Sequence, residues 1–202
     1  MPYIIRPKRA RRIAATVFSA ALLVCAVPAA ASAACPSSPS SALLTEYGDN
    51  AAYTLLTGSS FESGASGWWL TNAQVSEEEG ATGGSNALTI EPGGRAVSPS
   101  FCVSSEYPSF RFFARALSAS SARGGGSLRV SLLWSDLWGH QHSTTVASLT
   151  PAGEWTLSPV LGLATSLPLW MNGATLQVRL EFQANGADSW AIDNVYIDPY
   201  SR

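Results

Sequence analysis

Three segments of the chain alternate between apolar and other residues with a period of two. They are SFRFFARA (109–116), SLRVSLLW (127–134) and TLQVRLEF (175–182). Because successive side chains of an extended strand point to opposite faces, this period places one apolar set from each segment on a common face. A sheet with one apolar face must be covered, so the segments predict a two-layer antiparallel β-sandwich. The expected core set is Phe110, Phe112, Ala114, Ala116, Leu128, Val130, Leu132, Trp134, Leu176, Val178, Leu180 and Phe182.

The remainder of the chain after residue 34 is built from short runs rich in β-branched and aromatic residues, separated by Gly, Pro, Asn and Ser. No stretch of it keeps a 3.6-residue apolar period over three helical turns, so the fold class is predicted to be all-β. Strands are expected near residues 52–56, 68–75, 86–90, 95–98, 101–103, 109–117, 127–134, 142–149, 155–161, 174–184 and 189–197.

The first 33 residues predict an export signal. A basic start precedes an uncharged apolar run at 13–27, and ASA at 31–33 offers small residues to signal peptidase. The run is shorter than the span of about 20 apolar residues that a bilayer requires. We expect a secreted, extracellular protein with a signal peptide at 1–33, a Pro/Ser-rich arm at 34–51 and a β-sandwich domain at 52–202. The export route, Sec or twin-arginine, is left open by the sequence.

The charge of the chain changes once the signal is removed. Five of its 12 basic residues lie in the signal, so the rest keeps seven arginines and no lysine against 14 acidic residues, a net charge of −7. A surface of that sign repels nucleic acid and anionic lipid. We therefore expect no nucleic-acid partner and no membrane insertion after cleavage. We also expect a monomer.

Two cysteines remain after removal of the signal, Cys35 and Cys102. In an exported protein a pair of cysteines most simply forms one disulfide. The bond would restrict the unfolded chain and stabilise the domain by about 4 kcal/mol on the chain-entropy model. We expect it to tether the N-terminal arm to the strand that holds Cys102.

If the three alternating strands are neighbours, a candidate binding surface lies opposite the predicted core face, with exposed tryptophans adding to it. Guanidinium groups and flat aromatic rings suit sugar hydroxyls or carboxylates, and an exposed indole offers a platform for the C–H face of a sugar ring. The alternative is a solvated outer face with weak cross-strand ion pairs, and the sequence leaves both open. The candidate residues are Trp69, Trp138, Arg111, Phe113, Arg115, Arg129, Arg179 and Glu181.

Catalytic and transition-metal signatures are weak. His140 and His142 form a His-x-His pair beside a turn, but Thr145 and Val146 stand where a cupin-type metal enzyme needs a Glu. There is no Gly-x-Ser-x-Gly elbow. A glycoside hydrolase needs two facing carboxylates, and nothing selects a pair among Glu62, Glu181 and Asp193. We expect no catalytic residue.

Several motifs resemble one family of domains in their order along the chain. GSSFESGASGWWL (58–70), SNALTI (85–90), GEWTLS (153–158) and WAIDNVYI (190–197) resemble the galactose-binding-like jelly-roll carbohydrate-binding modules, especially families 4, 9 and 22. Ser59 stands where those modules carry Asn. SPSFCV, RFFAR and the ending IDNVYIDPYSR also look similar to a group of secreted actinobacterial proteins. The resemblance covers residues 52–198 and implies a jelly-roll fold.

The same resemblance implies a structural calcium ion. In such modules the Glu after Phe and an Asp of the closing strand contribute ligands, which correspond here to Glu62 and Asp193. Ca²⁺ takes six to eight hard oxygen ligands, so carboxylates suit it. Asn194 replaces the usual second Asp and removes one charge. The alternative is that both carboxylates only accept backbone N–H groups at turns. Apart from calcium, no cofactor is expected.

Taken together, these patterns predict a non-catalytic carbohydrate-binding module for a cell-wall or environmental polysaccharide. The step from fold to ligand is an analogy. Two alternatives remain, a structural or adhesive envelope protein that binds another protein, and a glycoside hydrolase. The sequence does not select the sugar.

Overall fold

A computed structural model describes residues 39–103, 109–118, 126–136, 138–163, 167 and 176–198. The chain divides between Ala34 and Cys35, and all of the described residues belong to the second of its two units. The expected signal peptide and Cys35 lie outside the described residues. The signal peptide, the domain bounds and the disulfide therefore stay predictions.

Eleven β-strands make up the described chain, with one 3₁₀ turn at Thr45–Tyr47, which confirms the predicted all-β class. In this part of the chain no helix has the length and apolar character needed to cross a bilayer. The strands are β1 (Thr54–Leu55), β2 (Trp69–Glu77), β3 (Asn86–Val97), β4 (Phe101–Val103), β5 (Ser109–Ala116), β6 (Ser127–Ser135), β7 (Gln141–Leu149), β8 (Thr156–Leu157), β9 (Leu161–Gly162), β10 (Leu176–Asn185) and β11 (Trp190–Asp198).

All of the strand pairs are antiparallel, and together they form one curled sheet in the order β7-β6-β10-β3-β11-β5-β8. β4 pairs with β10, β1 with β11, β9 with β5, and β2 runs along β3. The curl brings β10 and its neighbours over β11 and its neighbours, which gives the two predicted layers. We call them the β10 layer and the β11 layer.

β3 belongs to both layers. The sequence predicts two strands here, at 86–90 and 95–98, but the structure joins them into one bent strand. Its first half pairs with β11, with Ile90 opposite Trp190, and its second half pairs with β10, with Ala96 opposite Phe182. The curl of the whole sheet therefore starts at the bend between the two halves.

The bend needs glycine. Gly93 has a φ of 75°, and a Cβ atom on Gly94 would lie 2.2 Å from the carbonyl oxygen of Asn72 on β2. Asn72 itself has a φ of 49°, interrupts the β2–β3 register between Thr71 and Ala73, and donates from Nδ2 to the carbonyl of Pro92 at 3.2 Å. Such a bulge bends both strands of a hairpin together.

The core lies between the layers, where the alternating segments predicted it. Phe112 and Val130 are fully buried and Val178 is 1 % exposed. Phe112 and Phe182, from opposite layers, meet edge to face with ring centroids 4.9 Å apart. The predicted core residues are all buried except Leu176, which is partly buried and packs against the same cluster.

The outer side of the β11 layer is covered by the chain before β1. Ser41 pairs with Tyr53 as an isolated bridge, and Leu44 is fully buried. Leu44 and Tyr53 form a second apolar cluster with Phe113 and Tyr196. The expected arm at 34–51 is thus, from Ser41 onward, a packed part of the domain.

We predict that Gly94→Ala destabilises the domain by about 1–3 kcal/mol, because the added methyl group must displace the Asn72 carbonyl. Chemical denaturation of both proteins measures the loss. Gly153→Ala is the matched control, since a Cβ atom there would meet nothing within 4 Å and should change stability by less than about 1 kcal/mol. Equal stability of the Gly94 variant and the parent would show that the bend tolerates a side chain.

Candidate functional site

The outward side of the β10 layer forms one continuous surface, which we call the β10 face. Antiparallel pairing puts directly opposite side chains on the same side of a sheet, so the register defines its rows. One row contains Thr71, Arg95, Gln183, Arg129 and Ser148; a second contains Trp69, Val97, Glu181, Ser131 and Thr145; a third contains Arg179, Leu133 and Ser143.

Trp69 is the exposed aromatic of this face. The period of two predicts that Trp68 and Trp69 point to opposite sides, and the structure confirms this: Trp68 is 7 % exposed in the core and Trp69 is 53 % exposed. The guanidinium carbon of Arg179 lies 4.4 Å from the centre of the Trp69 ring. This cation–π contact holds the indole against β10 and gives the face a fixed aromatic platform.

Charged groups surround the platform. Arg95 and Glu181 form an ion pair at 3.6 Å, with the Arg95 side chain 55 % exposed and that of Glu181 18 % exposed. Arg129 is exposed on β6 in the same row as Arg95. The face therefore carries three guanidinium groups and one carboxylate in its three rows.

A depression of about 180 Å³ lies at one end of the β10 face. Arg179 and Leu133 line it on the side of Trp69, and Ser135 and Gln141 line it where β6 turns into β7. Apolar and hydrogen-bonding groups thus meet in one open recess. Such a surface can take a ligand with both a C–H face and hydroxyl groups.

Trp138 is 78 % exposed in the β6–β7 turn, which connects two of the residues that line this recess, Ser135 and Gln141. The turn is ordered by Asp136, whose carboxylate accepts the backbone N–H groups of Trp138 and His140 at 2.9 Å. His140 Nδ1 and His142 Nε2 each lie 3.0 Å from Asp136 Oδ2. The two histidines therefore serve as hydrogen-bond partners of one carboxylate.

The electrostatics of the turn follow from these contacts. Burial raises the pKa of Asp136, but hydrogen bonds from the His142 ring, the His140 N–H and ring, and the Trp138 N–H lower it more, so the pKa lies well below its usual range. His142 also stacks on Trp134, with ring centroids 4.2 Å apart. Asp136 is a residue that the sequence reasoning missed, although Asp before a Gly turn is a common turn signal.

The structure separates the predicted binding residues into two groups. Trp69, Arg129, Arg179 and Glu181 share the β10 face, and Trp138 lies at its end. Arg111, Phe113 and Arg115 lie on β5 in the other layer. The expectation that all of these strands present one common surface is therefore wrong, because β5 and β10 lie in opposite layers.

The β5 group is occupied by internal contacts. Phe113 is 1 % exposed and packs edge to face on Tyr47 at 4.9 Å. Arg111 donates to the Asp49 carboxylate at 2.7 Å and to the carbonyl of Ser158 at 2.8 and 3.0 Å. Asp49, which the sequence analysis did not single out, is a buried residue of the N-terminal segment and also accepts the Tyr53 hydroxyl at 2.6 Å. These contacts attach the segment to the sheet.

Arg115 holds a loop in the same way. It forms an ion pair with Glu78 and lies 4.9 Å from the centre of the Trp155 ring. Trp155 donates from Nε1 to the carbonyl of Glu79 at 2.8 Å. This part of the acidic run at 77–79 is therefore fixed to the β11 layer rather than free in solvent.

Glu62 and Asp193 both hold the loop between β2 and β3. Glu62 accepts the backbone N–H groups of Ser85 and Asn86 at 3.1 Å. Asp193, 1 % exposed in a bulge of β11, accepts the N–H of Ala81 at 2.9 Å and that of Asn194 at 2.8 Å. Backbone hydrogen bonds from Ser85 and Asn86 lower the pKa of Glu62.

The pKa values of Glu62 and Asp193 are shifted in opposite directions. Burial raises the pKa of Asp193 to about 6; the Ala81 and Asn194 N–H groups lower it, and the charge of Glu62 raises it further. In a hydrolase, a carboxyl group with a raised pKa and one with a lowered pKa can act as an acid–base pair. Here Asp193, the group with the raised pKa, is enclosed by protein, so a substrate cannot reach it.

These contacts also bear on the calcium expectation. Ca²⁺ needs six to eight oxygen ligands, whereas the oxygens of Glu62 and Asp193 already face backbone N–H donors. The described residues fit a loop held by hydrogen bonds better than they fit a cation site. Calcium ligation by Glu62 and Asp193 stays a prediction to be measured.

Ser59 connects the first and last parts of the domain. Its carbonyl accepts the N–H of Asn194 at 2.8 Å, and its hydroxyl accepts the N–H of Val195 at 3.1 Å. Asn194 has a φ of 46°, which the bulge in β11 requires. The unusual polar residues of the closing strand therefore serve its junction with the segment after β1.

Comparisons with known proteins find similarity only at the level of the fold. No family model and no curated protein sequence matches the chain. Among solved structures, the family 22 xylan-binding domain of Paenibacillus barcinonensis Xyn10C is 16 % identical, with a TM-score of 0.50, 74 % of this chain covered and 97 % of that one. The Clostridium thermocellum xylanase 10B fragment, a family 22 module with its catalytic module in complex with xylohexaose, is 15 % identical, with a TM-score of 0.53.

The second match covers 73 % of this chain and 29 % of the xylanase chain. The matches confirm the jelly-roll β-sandwich that the motifs predicted and its likeness to carbohydrate-binding modules. They do not bear on the resemblance to secreted actinobacterial proteins, which stays a prediction.

The pKa of Asp193 predicts a pH dependence that Asp193→Asn should reveal. Because the folded pKa, about 6, is above the ordinary 3.8, Asp193 contributes stability below pH 3.8 that is lost as the pH rises through 6. The free energy of unfolding lost by the substitution should therefore be larger at pH 4 than at pH 7.5, by up to about 3 kcal/mol.

Glu62→Gln provides a control of opposite sign. Because the pKa of Glu62 is lower in the folded protein, its contribution to stability is present above the ordinary pKa of 4.5 and is lost as the pH falls. The loss on substitution should thus be larger at pH 7.5. Denaturation curves at both pH values measure the stability of both variants. If the stability lost in Asp193→Asn is the same at both pH values, burial does not raise the pKa of Asp193.

A melting experiment tests the calcium prediction directly. If hydrogen bonds alone satisfy Glu62 and Asp193, the melting temperature should be the same in millimolar CaCl₂ and in EDTA. A bound ion at about 100 times its dissociation constant would add about 2.7 kcal/mol and raise the melting temperature by several degrees. Such a rise, absent in Glu62→Ala, would establish the two carboxylates as ligands.

Proposed function

We propose that the protein is a carbohydrate-binding module that acts without catalysis and binds a polysaccharide on the β10 face. The observation that supports this most is Trp69, a half-exposed indole held in place by Arg179 beside an open recess. An apolar ring face with hydrogen-bonding groups around it matches the alternating C–H and hydroxyl surfaces of a sugar.

The fold agrees with this proposal. The two structures described above are xylan-binding or xylohexaose-bound modules on the same architecture. Fold alone does not assign a ligand, so the argument depends on the side chains of the face. Those side chains differ between the two layers. Among the described residues, Trp69, Arg129 and Arg179 are exposed on the β10 layer, whereas Arg111, Phe113 and Arg115 on β5 are held by internal contacts.

The proposal includes export. The expected signal peptide at 1–33 would deliver the module outside the cell, where cell-wall or environmental polysaccharides are found. An oxidising compartment would also allow the Cys35–Cys102 disulfide, with Cys102 on β4 beside the β10 layer. A monomer suffices, since all of the residues of the proposed site come from one chain.

Among the residues that the structure describes, the proposed face has no pair of carboxylates suited to catalysis. Glu181 is the carboxylate of the β10 face and is paired with Arg95. Glu62 and Asp193 hold the loop between β2 and β3 and serve as hydrogen-bond acceptors. We therefore assign the module a binding role, and hydrolysis of a bound polysaccharide by the purified protein would contradict it.

We predict that Trp69→Ala weakens binding to the preferred polysaccharide by at least about tenfold, because it removes the aromatic platform. Affinity electrophoresis across a broad glycan panel identifies the ligand, and calorimetry measures the change. Trp138→Ala should weaken binding as well if the ligand extends along the recess.

Val160→Ala is the matched control. Val160 is 44 % exposed but lies between β8 and β9 in the β11 layer, so the variant should bind like the parent. Equal binding by the Trp69 and Val160 variants would place the ligand elsewhere. No retention by any glycan would favour the alternative of an envelope protein that binds another protein.

A further inference from the structure

We infer that the ligand of the β10 face is an acidic polysaccharide, whose sugar carboxylates are bound by Arg129 and Arg179 while a sugar ring packs on Trp69. This inference rests on the proposed function and adds the chemical class of its ligand. It is carried by the distribution of charge between the two layers rather than by the fold.

The β10 face has the opposite charge to the chain as a whole. After removal of the expected signal, the chain has twice as many acidic as basic residues. The three rows of the face nevertheless contain Arg95, Arg129 and Arg179 against the single carboxylate of Glu181. A basic surface on an acidic protein concentrates anionic ligands at that surface.

The partners of the arginines differ between the layers. Arg111 and Arg115 on β5 are bound to Asp49 and Glu78, so their charge serves the fold. Among the described residues, no ion pair forms at Arg129 or Arg179, and both are exposed. A guanidinium without a carboxylate partner keeps N–H donors in the fork geometry that binds carboxylates in a bidentate way.

Arg179 also couples charge to stacking. Its contact with the Trp69 ring at 4.4 Å fixes the guanidinium next to the aromatic platform. A carboxylate attached to a sugar ring can therefore meet Arg179 while the ring itself contacts the indole. A neutral sugar would use the platform but would leave the guanidinium without an anion.

The spacing favours a polymer. Arg129 lies opposite Gln183 on β10, four residues from Arg179 along the strand. Four residues of a strand span about 13 Å, which is longer than one sugar ring. Arg129 and Arg179 can thus bind carboxylates on different sugar units of one chain, and Arg95 lies across Gln183 from Arg129 in the same row.

The test compares acidic polymers with a form of one of them in which the charge is removed. The purified protein is titrated with polygalacturonate, alginate and hyaluronate, and with a highly methyl-esterified form of the first, which keeps the backbone and removes the charge. We expect at least one acidic polymer to bind and its esterified form to bind about tenfold more weakly. Binding should also weaken as salt concentration rises.

Two substitutions assign the effect to residues. Arg129→Gln and Arg179→Gln should each weaken binding to the acidic polymer by about fivefold, the loss of one charge-assisted contact at an exposed site. Arg129→Gln leaves the Trp69 contact intact, so it tests charge separately from stacking. Gln74→Glu is the control, because it lowers the net charge equally at an exposed position of β2 outside the face.

The outcomes separate this inference from the proposed function. If a neutral or esterified polymer binds as tightly and both arginine variants bind normally, carbohydrate binding stands and the acidic ligand is wrong. If polyglutamate binds as tightly as the acidic polysaccharides, charge alone accounts for binding and the inference is overturned. If neither neutral nor acidic glycans bind, the proposed function fails together with it.

Discussion

The architecture depends on one strand that serves both layers. β3 pairs with β11 through its first half and with β10 through its second, so the two layers are halves of one curled sheet. The change of direction is made at Gly93, which has a positive φ, and at Gly94, where the backbone of β2 approaches too closely for a side chain. The same hairpin places Trp69 opposite Val97, at the edge of the β10 layer. The bend that closes the core thus also positions the aromatic residue of the proposed site.

The two outer faces of the sandwich have different roles because the N-terminal segment covers only one of them. On the β11 layer, Arg111 is partly buried and paired with Asp49, and Phe113 is buried against Tyr47, so both side chains stabilise the fold. On the β10 layer, the guanidinium groups of Arg129 and Arg179 are exposed at the surface. Similar residues at similar strand positions therefore differ in function. The difference is made by the chain that packs over them rather than by the strands themselves.

The polar residues of the closing strand show how a resemblance and a structure can assign different roles to the same groups. The family likeness suggests a cation held by Glu62 and Asp193, since those carboxylates match ligand positions. In the structure each carboxylate is surrounded by backbone N–H groups of the β2–β3 loop and of the bulge in β11. A buried carboxylate with two N–H partners is satisfied without a metal, although burial still raises its pKa. The jelly-roll fold is compatible with both arrangements, and calcium ligation by the two carboxylates stays a prediction.

The sequence by itself determined the core face of the strands and their approximate positions along the chain, because a period of two assigns each side chain to a face without any knowledge of its neighbours. Phe112, Val130 and Val178 are buried for that reason, and Trp68 and Trp69 separate for the same one. It did not determine which strands lie side by side, since pairing depends on contacts between residues far apart in the chain. Arg111 and Arg179 therefore looked equivalent until the topology put β5 and β10 in opposite layers. The bend in β3 was likewise decided in three dimensions, where the carbonyl of Asn72 meets Gly94, whereas the contacts of Asp136 lie within a single turn.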